Sequence, residues 1–144
     1  MTDQEPSQAV YHAQVRWSDS DLMGHVNHAR YLTFFEDARM EMLARSPRGL
    51  GDSVRGHEGG GYIAARVAVD YVAPVDFRPG LTLRVCTVVA KIGTSSWTLS
   101  GEMDDDGTVV ARCEVVMVAY SYEQGRPRPL DDDERAYWEA FQAQ

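Results

Sequence analysis

The sequence predicts an α+β fold in which one long helix packs against an antiparallel sheet. A helical apolar stripe occurs early, between residues 28 and 45, and four long runs rich in β-branched and aromatic residues follow it. The short spacing between those runs favours antiparallel pairing, because parallel strands need long crossover connections. With 144 residues, 44% of them hydrophobic, the chain fits a single domain, 1–144, built on one ordinary core.

The first predicted element is a strand. Apolar and polar residues alternate here, and the apolar face consists of Tyr11, Ala13, Val15 and Trp17. Alternation with a period of two is typical of a half-buried strand. Residues 1–8 before it are polar, and we expect them to be flexible.

The long helix is expected to begin at Asn27, because an asparagine side chain caps the free N–H groups of a first turn. Its apolar residues recur at helical spacing, at positions 31, 35, 38 and 42. Leu32 and Phe34 widen this stripe, so we expect neighbouring elements to enclose the helix on most sides. Pro47 ends it, and a glycine-rich loop over residues 48–61 follows.

The remaining elements are strands and a short terminal helix. The strands are predicted over residues 62–71, 81–92, 95–103 and 109–122. The Asp-Gly pair at 106–107 predicts a tight hairpin turn, because both residues tolerate positive φ. Asp131 and Glu134 have the spacing of a capping box, which predicts a C-terminal helix over 131–142.

The composition argues against several classes of protein. The chain carries 22 acidic and 14 basic residues, a net charge of −8, and Lys91 is its only lysine. Scattered arginines on an acidic domain do not make a nucleic-acid surface. No apolar run approaches the roughly 20 residues of a membrane helix. The polar start has no signal-peptide features, so we expect a cytoplasmic protein that binds no membrane.

The strongest candidate site lies between the first strand and the helix. A carboxylate, a glycine turn and a helix N-terminus occur within ten residues, from Asp19 to His28. First-turn N–H groups favour negative charge and can stabilise an oxyanion. An aspartate beside them can attack a carbonyl or deprotonate water. The spacing alone equally suits a structural turn, in which Asp19 and Asp21 bond the backbone and Asn27 caps the helix.

A metal site is the other candidate for this segment. Asp21, His25 and His28 could supply three ligands, but His25 precedes the helix cap, so the two rings need not share a face. Cys86 and Cys113 lie far apart and form no zinc motif. We therefore predict no metal.

Several short motifs, in this order and at this spacing, match a known family. They are Asp-x-Asp-x-x-Gly followed by His-Val-Asn at residues 19–27, Tyr31-Leu32, Phe35-Glu36, Ala38-Arg39, Val69-Asp70-Tyr71 with Pro74, Ile92-Gly93 to Ser96, and Val110-Ala111. Over almost its whole length the chain resembles the hotdog-fold thioesterases of the 4-hydroxybenzoyl-CoA thioesterase and YbgC-like type. Trp17 stands where YbgC-like members carry a tyrosine.

The resemblance implies a hotdog fold: a long central helix wrapped by a curved antiparallel β-sheet of five or more strands, assembled as a homodimer or homotetramer. It implies a hydrolase that acts on acyl-CoA or acyl-carrier-protein thioesters. Asp21 falls on the catalytic carboxylate, as nucleophile or general base, and the backbone amide of His28 falls on the oxyanion donor. No cofactor is expected, because coenzyme A is part of the substrate.

Further residues are assigned to substrate binding. We expect His25 and Asn27 to hold the substrate-binding loop and cap the helix, and Lys91 to contact the phosphates of coenzyme A. Arg66 and Arg84 are weaker candidates for those phosphates. The loop at 48–61 is expected to cover the acyl pocket. Two alternatives stay open: a non-catalytic acyl-CoA-binding hotdog module, and a hotdog hydratase or dehydratase.

Overall fold

The computed structural model describes residues 8–50 and 61–142. Its elements are β1 Ala9–Gln14, α1 His28–Ala44, β2 Gly61–Tyr71, β3 Thr82–Ile92, β4 Ser96–Asp105, β5 Thr108–Ser121, β6 Arg126–Pro127 and α2 Asp132–Glu139. The predicted α+β class is confirmed, as are the positions of the long helix and of the four long strands.

The strands form one six-stranded sheet. Its order is β1-β3-β4-β5-β2, β6 pairs with the end of β5, and every ladder is antiparallel as predicted. The hairpin between β4 and β5 turns at Asp106 and Gly107, whose φ values are 50° and 89°. The predicted turn is therefore confirmed. One row across the sheet joins Val85, Met103, Ala111 and Tyr71, which places the end of β2 level with the start of β3.

Helix α1 packs on one face of the sheet through its apolar stripe. Its buried apolar residues are Tyr31, Phe34, Phe35, Ala38, Met42 and Leu43. Phe35 lies so close to β4 that a Cβ added at Gly101 would stand 3.1 Å from its ring. Burying one such large side chain stabilises the fold by about 1.5–3 kcal/mol, so packing holds the helix more than helix propensity does.

The expected enclosure of α1 is wrong for one side of the helix. Leu32 is 42% exposed, because its side of the helix faces away from the sheet. Glu36, one turn further along, is also exposed. Leu32 is thus left partly uncovered in the single chain.

The prediction that Trp17 belongs to the apolar face of the first strand is also wrong. β1 stops at Gln14, and Trp17 is 78% exposed. The Asp19 carboxylate accepts the N–H of Arg16 at 2.7 Å, and the Asp19 N–H donates to the Arg16 carbonyl at 2.9 Å. These two bonds close a 3₁₀ turn that ends the strand and directs the indole into solvent.

The C-terminal helix is capped as predicted but shorter. The Asp131 carboxylate accepts the N–H of Glu134 at 2.8 Å, and the Glu134 carboxylate accepts the N–H of Asp131 at 3.1 Å. The helix then ends at Glu139. Trp138 stacks on Trp97 of β4, with ring centroids 4.7 Å apart, so α2 closes the end of the core.

Parts of two expectations lie outside the described residues. They concern the flexibility of residues 1–8, of which 1–7 are not described, and the loop at 48–61, of which 51–60 are not described. Among the helices of the described segments, none is long and apolar enough to cross a bilayer.

Candidate active site

The loop between β1 and α1 is tied to itself and to the segment after β2. The Asp21 N–H donates to the His25 carbonyl at 2.8 Å, and the Val26 N–H donates to the Val75 carbonyl at 2.8 Å. Gly24 has a φ of 78°, a conformation that favours glycine, and its carbonyl accepts the N–H of Phe77 at 3.0 Å. The loop that carries Asp21 is therefore held in one shape.

The two oxygens of the Asp21 carboxylate have different surroundings. Oδ1 accepts the N–H of Met23 at 2.9 Å and the N–H of His25 at 3.3 Å. Oδ2 has no hydrogen-bond or ion-pair partner among residues 8–50 and 61–142. The backbone thus orients the carboxylate through one oxygen and leaves the other available to a ligand.

The start of α1 offers a free donor. Asn27 caps the helix as predicted, and its Oδ1 accepts the N–H of Ala29 at 2.9 Å. The N–H of Arg30 donates to the Asn27 carbonyl at 2.9 Å. Within the described part of the chain, the N–H of His28 has no acceptor. A helix N-terminus with an unpaired N–H is a site that stabilises developing negative charge.

Asp21 and His28 line the same cavity. We call this cavity the Asp21 cleft; it is open to solvent and has a volume of about 320 Å³. Its lining residues are Asp21, His25, Val26, His28, Tyr31, Tyr71, Val72, Ala73 and Pro74. The fold therefore brings together three of the predicted site residues, namely Asp21, His25 and His28. Asn27 caps the helix beside the cleft and does not line it.

The positions of His25 and Asp19 agree with the expectation that His25 holds the loop and Asp19 bonds the backbone of a turn. The His25 Nε2 is 3.2 Å from the Asp76 carboxylate, which fastens the loop to the segment after β2. Asp19 is buried, holds the 3₁₀ turn, and lies 3.5 Å from the Arg30 guanidinium. Asp19 does not line the cleft, which agrees with the turn role expected of it.

The expected phosphate-binding residues are not at the cleft of the same chain. Lys91 pairs with Thr98 of β4, six positions along β3 from the row that contains Tyr71, which is an offset of about 20 Å along the strand direction. Arg66 is paired with Glu114 at 3.2 Å and Arg84 with Asp104 at 3.3 Å. Lys91 is exposed and has no ion-pair partner among the residues that the structure describes.

Sequence reasoning assigned no role to two tyrosines of the cleft. Tyr71 ends β2, and its hydroxyl donates to the His28 carbonyl at 2.8 Å. Tyr31 is buried beneath it, and this burial raises the pKa of its hydroxyl. Both belong to motifs that carried the family resemblance, but motif membership alone does not say that strand β2 ends against the helix start.

The described residues hold no group of three or more His, Cys, Asp or Glu side chains placed to bind a metal ion. Asp21, His25 and His28 line one cleft, but His25 is engaged by Asp76 instead.

The topology defines a hotdog fold, and a carboxylate and a helix N-terminus line one cleft of it. A model of the thioesterase-like superfamily matches residues 15–142, and the chain belongs to this superfamily. No protein of curated function matches the chain.

Solved thioesterase structures share this fold. The chain is similar to a predicted thioesterase from Bacillus stearothermophilus, with 27% identity over 96% of this chain and 98% of that chain and a TM-score of 0.84. It is similar to a thioesterase complexed with coenzyme A and Zn from Thermus thermophilus, with 28% identity over 92% of each chain and a TM-score of 0.76. A DHNA-CoA thioesterase from Staphylococcus aureus is 19% identical over 93% of this chain and 88% of that chain, and its TM-score of 0.77 shows a shared fold.

Proposed function

We propose that this protein hydrolyses acyl-CoA or acyl-carrier-protein thioesters to a free acid and a thiol. One observation carries the proposal: Oδ2 of Asp21 and the N–H of His28, both without a partner among the described residues, belong to residues that line the same cleft. Membership in the thioesterase-like superfamily supports the reaction class. The similar Thermus thermophilus protein, complexed with coenzyme A, supports a CoA ester as the substrate.

The thioester carbonyl enters between the Asp21 loop and the start of α1. Its oxygen accepts the N–H of His28, where the helix dipole is positive and an oxyanion is stabilised. Losing a donor of this kind costs roughly 10²–10³ in rate. The His28 ring also lines the cleft and can orient water or substrate.

Asp21 has two routes to products. As a general base, Oδ2 takes a proton from water while the water oxygen bonds to the carbonyl carbon, and the C–S bond then breaks to release the thiolate. As a nucleophile, Oδ2 bonds to the carbonyl carbon and expels the thiolate, which leaves a mixed anhydride that water hydrolyses. In both routes the thiolate leaves with the C–S electron pair and is then protonated.

A panel of aliphatic and aromatic acyl-CoA esters of graded length, read with a free-thiol reagent, tests the proposed function. We expect thiol release well above the uncatalysed rate for at least one class of acyl chain. Saturable binding without hydrolysis would assign the protein to the non-catalytic binding modules. Hydration of an enoyl-CoA without thiol release would assign it to the hydratases.

Single-turnover reactions in ¹⁸O-labelled water test the nucleophilic role of Asp21. If water attacks a mixed anhydride at the Asp21 carbonyl, the label enters the enzyme, and mass spectrometry of the peptide containing Asp21 detects it. General-base catalysis puts all of the label into the released acid, and so does water attack at the acyl carbon of an anhydride. Label in the peptide is therefore the outcome that identifies the nucleophile.

We also propose that the chain works as a homodimer or homotetramer. Strand β2 is an 11-residue strand that pairs only with β5 in the described sheet, so its other edge is open. Long open edges are usually covered in native proteins. Exposed Leu32, Val67, Tyr71 and Val72 lie beside that edge and along α1, and they form an apolar surface that suits a second copy. Sedimentation equilibrium gives the mass, and a monomer at working concentration would contradict this proposal.

An oligomer also supplies a role for Lys91. Because Lys91 does not line the cleft of its own chain and is offset by about 20 Å along the strands from the row that contains Tyr71, we propose that it contacts coenzyme A bound to another copy. Lys91→Ala should raise the KM for CoA esters more than it lowers kcat. Mixed oligomers of Lys91→Ala and Asp21→Asn should contain sites with the wild-type KM, because one copy supplies Asp21 and the other Lys91. A KM unchanged by Lys91→Ala would remove this residue from the site.

A further inference from the structure

Tyr71, the last residue of β2, contacts the first turn of α1 and has no role in the chemistry described above. Its hydroxyl donates to the His28 carbonyl at 2.8 Å. Its ring stands edge-on to the His28 ring at 6.2 Å between centroids, and edge-on to the Tyr31 ring at 5.2 Å. Tyr71 therefore joins the end of the sheet to the residue that carries the oxyanion donor.

Two side chains hold one peptide group of this turn. The peptide between His28 and Ala29 has its carbonyl bonded by the Tyr71 hydroxyl and its N–H bonded by the Asn27 side chain. The adjacent peptide, between Asn27 and His28, carries the N–H that has no acceptor in the described part of the chain. Only the φ and ψ angles of His28 separate the two planar groups, so a restraint on the first peptide limits how the second can turn.

We propose that Tyr71 is a positioning residue for thioester hydrolysis, which holds the His28 N–H at the orientation that the oxyanion requires. This inference rests on the function proposed for the cleft. An oxyanion donor is effective when it already points at the developing charge, because no reorganisation is then needed in the transition state. Displacing a catalytic group by about 1 Å costs about a hundredfold in rate, so a restraint on one peptide has a measurable effect.

The hydroxyl is not needed to fold the chain. Tyr71 is 48% exposed, so its ring contributes to the cleft wall more than to the core. The His28 carbonyl also keeps its helical partner, the N–H four residues on, when the hydroxyl is removed. Tyr71→Phe therefore removes the restraint and retains the ring contacts with His28 and Tyr31.

The chain offers a matched control for this substitution. Tyr122 is also 48% exposed, its ring stands edge-on to Tyr120 at 5.4 Å, and it does not line the Asp21 cleft. For Tyr71→Phe we expect kcat to fall about tenfold, the equivalent of one hydrogen bond, with KM and the melting temperature close to wild type. Tyr122→Phe should leave all three unchanged.

The pH profile and a double-mutant cycle separate positioning from other roles. Both limbs of the kcat profile should stay in place in Tyr71→Phe, because a positioning residue transfers no proton. Since Asn27 and Tyr71 hold the same peptide, the combined kcat loss of Asn27→Ala and Tyr71→Phe should differ from the product of the two single losses by about twofold or more. A simple product of losses would overturn the proposal, as would an alkaline limb that shifts.

The remaining outcomes are equally decisive. If the wild-type protein hydrolyses no thioester, the proposed function fails and this inference fails with it. If the wild type is active and Tyr71→Phe matches it, only the role of Tyr71 fails. A raised KM at unchanged kcat would make Tyr71 a substrate contact, and a lowered melting temperature at unchanged kcat would make it a purely structural residue.

Discussion

Two carboxylates of this chain, Glu134 and Asp21, lie in opposite surroundings. Glu134 is 0% exposed and accepts both Arg128 nitrogens at 2.7 and 3.0 Å, the Tyr62 hydroxyl at 2.7 Å and the Asp131 N–H at 3.1 Å. We call these four residues the Glu134 cluster. Asp21 is half-buried, and only its Oδ1 is bonded among the described residues.

The fold satisfies one of these carboxylates fully and leaves the other partly available to a ligand. Burying a carboxylate is unfavourable unless donors satisfy it, and the Glu134 cluster supplies donors to both oxygens. The cluster joins three parts of the fold: β2, the start of α2, and the segment that follows β6. Its bonds therefore stabilise the end of the core that α2 closes. At Asp21 the backbone satisfies one oxygen only, and the other stays open to the cleft.

The largest effect is expected for substitution of Asp21. Asp21→Asn should lower kcat by about 10²–10⁴, the usual contribution of a positioned base, and should leave the melting temperature near wild type. Steady-state kinetics and thermal unfolding measure the two quantities. The control is Asp19→Asn, which should lose stability but little activity, because Asp19 is buried in the turn. An Asp21→Asn variant with near-wild-type turnover would overturn the assignment.

The next largest effect is expected for substitution of the buried carboxylate, Glu134, and it should change stability instead of turnover. Glu134→Gln leaves the buried Arg128 guanidinium without its counterion, so the free energy of unfolding should fall by about 3–5 kcal/mol. Denaturant unfolding measures this loss. The kcat of the folded variant should stay at the wild-type value, and a variant as stable as wild type would show that the cluster contributes nothing.

The same contrast predicts a pH dependence of stability. Burial raises the pKa of Glu134, but the bonds from Arg128, Tyr62 and the Asp131 backbone outweigh it and hold the pKa below its ordinary value of 4.5. Because the folded-state pKa is lowered, this stabilisation is present above pH 4.5 and is lost as the pH falls through the lowered pKa. Unfolding free energies of wild type and Glu134→Gln should therefore converge on acidification. Parallel curves would contradict the prediction.

The smallest effects are expected for substitutions of the two helix caps, Asn27 and Asp131. Asn27→Ala and Asp131→Ala should each lower the unfolding free energy by about 1 kcal/mol, because each removes an acceptor from a first turn. Only Asn27→Ala should also lower kcat, since its helix carries the His28 N–H. Equal kcat values for the two variants would show that the cap at Asn27 has no influence on the cleft.

Much of the fold could be predicted because its elements are local patterns. The helix was expected over residues 28–45 and spans His28–Ala44, and Asn27 caps it as predicted. The errors at Trp17 and Leu32 have physical reasons. An Asp19 bond ends β1 before Trp17, and the sheet covers only one side of α1. Neither could be deduced from periodicity, which reports apolar spacing but not which neighbours cover it.

The site was predictable to the same extent and for the same reason. Asp21, His25 and His28 lie within eight residues, so one turn and one helix start place them together. Tyr71 is 43 residues away from His28 along the chain, and Lys91 is offset by about 20 Å along the strands from the row that contains Tyr71. Their positions depend on the pairing of β2 and β3 within the sheet.

Local sequence patterns are enough to locate the loop, the capped helix start and the aspartate beside it, because backbone bonds over a few residues shape all three. Three features depend on contacts between distant parts of the chain: the end of β2 meets the first turn of α1, His25 lies 3.2 Å from Asp76, and Lys91 does not line its own cleft. The reason is that strand register and core packing set these contacts. The register of the paired strands fixes the position of each side chain, and the residues next to it in sequence do not specify that register.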